Sequence, residues 1–152
     1  MKVIVALFAV MFSFAAAAAD HPIVGTWNLV ETYNEVIGTG ARTSAYGEHP
    51  DGVIIFTREG RLTVLVTPAW EGTPSSTTAP PRNFLAASGP YTIKSDTDLV
   101  YRVDVVVNPS PKGVDRPRTY KISGDMLTLT LPTTKRPDGT QAHTVFTWKR
   151  GK

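Results

Sequence analysis

From Ile23 onward the chain alternates apolar and polar positions in short runs, without a sustained helical period. Val, Ile, Thr, Tyr, Phe and Trp gather in these runs, and Gly, Pro, Asn and Asp separate them. Alternation with a period of two places successive side chains on opposite faces of a strand, so the pattern predicts an all-β chain. Eight strands are expected: Val24 to Tyr33, Val53 to Thr57, Leu62 to Thr67, Gly89 to Lys94, Leu99 to Val107, Arg118 to Ser123, Met126 to Leu131 and Ala142 to Arg150.

The connections alternate in length. Long segments (Asn34 to Gly52, Pro68 to Ser88, Asn108 to Pro117, Pro132 to Gln141) take turns with tight ones at Arg58 to Arg61, Ser95 to Asp98 and Gly124-Asp125. Successive connections of an up-and-down antiparallel barrel lie at opposite ends, so the long loops would share one open rim and the hairpins one closed base. The expected architecture is therefore an eight-stranded up-and-down antiparallel β-barrel, with an interior that holds side chains or one small ligand. Strand direction then brings Gly25 and Trp27 beside Trp148, Lys149 and Arg150 at the base.

Gly25-x-Trp27 on the first strand, with Arg150 (or Lys149) ending the last, resembles the lipocalin signature in which an arginine packs across the tryptophan and plugs the barrel. Gly25-Thr26-Trp27-Asn28-Leu29-Val30, Gly52 to Gly60, Tyr120 to Leu129 and Trp148-Lys149-Arg150, in that order and spacing, resemble a lipocalin-like (calycin-type) domain family of bacteria and fungi. The resemblance implies a ligand-binding barrel over residues 20–152, with Gly25, Trp27, Trp148 and Arg150 as its structural base. Typical members carry a His-rich fifth strand and a longer, partly helical third loop. Here Tyr101-Arg102-Val103-Asp104 stands instead.

Composition changes the picture mainly at the N-terminus. Lys2, the apolar run Val3 to Phe14 and the alanines Ala15 to Ala19 read as a signal peptide, residues 1–19, with cleavage leaving Asp20 first. No cysteine is present, so an exported product, secreted or periplasmic, relies on its core without disulfides, and no stable membrane anchor is expected after cleavage. The formal net charge of +3 comes from scattered basic residues with no basic helix or aromatic-interleaved stripe, which argues against nucleic acid. His21, His49 and His143 lie far apart, so neither a metal nor a cofactor is expected. Gly-x-Ser-x-Gly, Walker and dinucleotide glycine patterns are absent. The sequence does not fix an oligomeric state.

The candidate chemistry divides between the barrel wall and the rim. Tyr33, Phe56, Tyr101 and Tyr120 are expected as apolar wall residues, Arg118 as a polar contact that orients a ligand, and Trp70 on a rim segment that is either a lid or a mobile loop. Arg118 binds an anionic head or pairs with Asp104. Glu31 faces the interior if the alternation from Trp27 continues, and solvent if a bulge intervenes. One face of the fifth strand carries Tyr101, Val103, Val105 and Val107; its inward or outward register is open. No catalytic set is expected; Glu31, Asp104 and His143 are the weak candidates for an acid or base. The expected function is binding of a small hydrophobic molecule, with two alternatives: a small isomerase- or cyclase-type enzyme acting on a hydrophobic metabolite, and a non-catalytic envelope interaction protein.

Overall fold

The structure is a computed structural model that describes residues 20–68, 84–107 and 111–152. The expected signal segment and Trp70 lie outside the described residues. The described chain forms eleven strands: β1 (Gly25–Val36), β2 (Arg42–Ser44), β3 (Asp51–Phe56), β4 (Arg61–Thr67), β5 (Leu85–Ile93), β6 (Asp98–Arg102), β7 (Val105–Val106), β8 (Asp115–Ser123), β9 (Met126–Thr130), β10 (Thr134–Lys135) and β11 (Gln141–Arg150). β1, β3, β4, β5, β6, β8, β9 and β11 pair antiparallel in that order, and β11 pairs back onto β1 to close the barrel. Closure leaves no free edge among these eight. The strand ends that carry the long connections lie at one rim and the hairpins at the base, as the loop lengths predict.

β4 shows why these residues make strands. Leu62, Val64 and Val66 are buried while Arg61, Leu65 and Thr67 are exposed, so one pleated face meets the core and the other meets water. The expected strand from Gly89 begins four residues earlier, at Leu85. Two short rim strands went unpredicted. β2 folds back to pair with Tyr33, Asn34 and Glu35 of β1, extending the sheet where β3, which pairs only with Gly25 to Asn28, has ended.

Two bulges interrupt the alternation. In β1 the register with β11 shifts between Leu29 and Glu31, leaving Val30 as the extra residue. Beyond that point Thr32 is buried, while Glu31 and Tyr33 turn to the outer face, contrary to the expectation of Tyr33 as an inner wall residue. The expected fifth strand breaks similarly. Tyr91 pairs with Tyr101, but Ser88 pairs with Val105, so the later strand holds one extra residue. Tyr101 and Val103 therefore point into the core while Val105 and Val107 are 59% and 61% exposed. Gly89 permits this crossing, because a Cβ there would lie 1.9 Å from the Arg102 carbonyl oxygen.

The base is sealed as the signature implies. The Arg150 guanidinium lies 4.0 Å from the centre of the fully buried Trp27 ring and donates to the carbonyls of Val24 (3.1 Å) and Pro22. Trp27 Nε1 donates to the Ile23 carbonyl at 2.8 Å, tying the N-terminal segment under the barrel. Gly25 has φ +135°, and a Cβ there would meet the Arg150 guanidinium at 3.0 Å, so glycine leaves the space the arginine needs.

Candidate ligand cavity

Above this base the barrel encloses a cavity of about 160 Å³. Every barrel strand except β1 contributes to its wall. Ile54, Leu62, Val64, Leu99 and Leu129 supply aliphatic surface, and Leu85 and Leu131 stand at strand ends on the rim side. Phe146 and Trp148, two residues apart on β11, stack at 5.8 Å and 14° to form an aromatic side. Tyr46 reaches in from the first rim loop, half-buried, its ring 6.1 Å from Phe146.

Polar groups in this wall are few and mostly donors. Arg118 and Arg116 face the cavity from β8, and the Arg118 guanidinium lies 6.0 Å from the centre of the Tyr101 ring. Arg118 Nη1 donates to the Pro117 carbonyl at 2.8 Å. Burial among apolar side chains pulls the Arg118 pKa down to about 10, against a smaller opposing pull from Tyr101. It still carries its charge at neutral pH. Burial also pushes the Tyr46 and Tyr101 hydroxyls above the usual tyrosine range, so both remain protonated. The indole Nε1 of Trp148, on a residue 1% exposed, has no hydrogen-bond partner among the described residues and no surface open to the cavity.

Of the expected ligand contacts, the cavity gathers Tyr101 and Arg118. Phe56 and Tyr120 are buried as predicted but sit below it. Phe56 packs edge-on against Tyr91 at 5.2 Å, opposite Gly25 at the base. The Tyr120 hydroxyl donates to the Ser95 carbonyl at 3.0 Å and meets His21 Nε2 at 3.3 Å, next to a base hairpin. His21 Nδ1 accepts from the Ile23 amide, so in its neutral form the ring donates through Nε2 to Tyr120. Tyr33 lies on the outer face, its ring 4.0 Å from the Arg42 guanidinium. Trp148, expected only as base structure, is also cavity wall.

All three weak acid-base candidates are on the outer surface. Glu31 borders an external groove of about 390 Å³ with His49 and Asp51. Asp104 accepts two bonds from Arg61, at 2.7 and 3.0 Å, and that guanidinium holds its carboxyl below the usual aspartate range. His143 lies 3.9 Å from Glu35, which pairs with Arg42 at 2.9 Å. Asp104 thus has a different cation from the one the sequence offered it, and Arg118 has no carboxylate partner among the described residues. Among those residues, no three His, Cys, Asp or Glu come close enough to hold a metal.

Sequence reasoning missed Phe146 and Arg116 as wall residues. Their signal was present: each is an even-numbered step along its strand from a residue already assigned inward, Trp148 and Arg118 respectively.

Comparison with known proteins agrees with this architecture. Neither the curated proteins nor the solved structures contain a significant match to the chain. The family model described as a lipocalin-like domain matches residues 24–151, from the strand carrying Trp27 through Arg150. The chain belongs to the lipocalin-like domain family.

Proposed function

We propose that this protein is an exported lipocalin-like carrier that binds a small, mostly apolar molecule inside the barrel. The observation that carries the reading is the cavity itself: aliphatic and aromatic on most sides, above a sealed base, with two arginines on one strand. Burial of apolar surface supplies about 25 cal/mol per Å² on transfer from water, so an apolar body would provide most of the affinity. A cavity of about 150 Å³ lined by such residues takes a benzene-sized molecule.

Export rests on the apolar run Val3 to Phe14 and the alanines before Asp20. Isomerase or cyclase chemistry has less support, because Glu31, Asp104 and His143 all face away from the cavity, and its two tyrosines are shifted away from neutrality. Native mass spectrometry of protein purified from its own host tests both parts of the reading. The expected result is a chain starting at Asp20 that carries a non-covalent small molecule. Retention of the N-terminal segment would overturn export, and a bare chain that also excludes neutral apolar dyes would overturn the carrier function.

A further inference from the structure

The polar groups of the cavity wall have few partners among the described residues. Arg118 brings a cation into an apolar wall where no Asp or Glu stands among the lining residues. Among the described residues its one hydrogen bond goes to the carbonyl of the residue before it, leaving most of a five-donor guanidinium unmatched there. Trp148 lines the same cavity with its ring, while its N–H is shut off from the cavity space. The hydroxyls of Tyr46 and Tyr101, on the same wall, make no hydrogen bond within the described protein.

A guanidinium withdrawn from water beside no carboxylate costs stability while the cavity holds no anion. A structural role would give Arg118 a carboxylate, as Arg61, Arg102 and Arg42 each have one on the outer surface. The donors outnumber the acceptors, and the only formal charge is positive. An amine or a simple alcohol would not answer that pattern.

We infer that the ligand is a small monocarboxylic acid with a ring-sized apolar body. The carboxylate pairs with Arg118, and the body packs against Leu99, Leu129 and Phe146. A charge-assisted guanidinium contact in a partly desolvated site is the strongest single polar contact available here. This inference rests on the carrier reading and can fail while that reading stands.

The test is calorimetric titration with phenylbutyrate, phenylbutanol and phenylbutylammonium, which share one apolar body. The wild-type protein should bind the acid about tenfold or more tighter than the alcohol, and the ammonium most weakly. Arg118→Met should remove that preference while leaving the alcohol within about threefold of wild type. Equal binding of acid and alcohol would overturn the inference and keep the carrier reading; binding of none of the three would overturn both.

Discussion

Arg118 shows how one side chain sets function against stability. Its depressed pKa means the folded state disfavours the charged form; the cost is present at every pH below about 10 and is relieved only as the group deprotonates between there and its unfolded value. At neutral pH the whole cost is therefore in force. Arg118→Met keeps the length and packing of the side chain and removes the desolvated charge. Chemical denaturation of the ligand-free variant should show a gain of about 1–3 kcal/mol. A loss of stability would mean that the guanidinium has a compensating partner. The hydroxyls of Tyr46 and Tyr101 stand on the same wall with no acceptor among the described residues.

At the scale of single strands, the two bulges decide which side chains can touch a ligand. Alternation alone put Tyr33 inside and left Glu31 open, because a pattern of period two reports which residues share a face but carries no trace of one inserted residue. The bulge at Val30 turns Glu31 outward, one of the two readings left open, and reverses the assignment of Tyr33. Phe56 and Tyr120 illustrate a second blind spot. Both point inward as read, yet their height along the barrel is set by strand tilt and stagger, which appear only once all eight strands are paired. The crossing at Gly89 is testable. Gly89→Ala would push a methyl into the Arg102 carbonyl, which backbone cannot yield without opening the β5 pairing with β6 and β7. The expected loss is about 1–3 kcal/mol or more in urea unfolding, with faster amide exchange at Asp104 and Val107, whose N–H groups bond to β5. An unchanged midpoint would show that the bulge is not held by this contact.

Over the whole molecule, the strand order, the alternating loops and the sealed base were legible in the sequence. Gly25, Trp27 and Arg150 carry that information because each has one demanding neighbour: the glycine clears space, the ring fills the base, and the guanidinium covers the ring. The cavity was less legible, since its wall is drawn from seven strands whose relative heights no local pattern encodes. Trp27→Ala removes the part that joins β1, β11 and the N-terminal segment, and should cost about 3–5 kcal/mol. A near-unchanged melting temperature would contradict its role as the base plug. Because that plug lies beneath the cavity, fold and binding can be probed separately.

The most direct measurement of the central claim uses that separation. Leu85 lines the cavity at the rim end of β5 and is only partly buried, so Leu85→Trp fills the space with little disturbance to the core beneath. Calorimetric titration with toluene should give saturable one-site binding by the wild-type protein. In Leu85→Trp the affinity should fall by about tenfold or more at an unchanged melting temperature. Equal toluene binding by the two proteins, or none by either, would contradict a ligand site within the barrel.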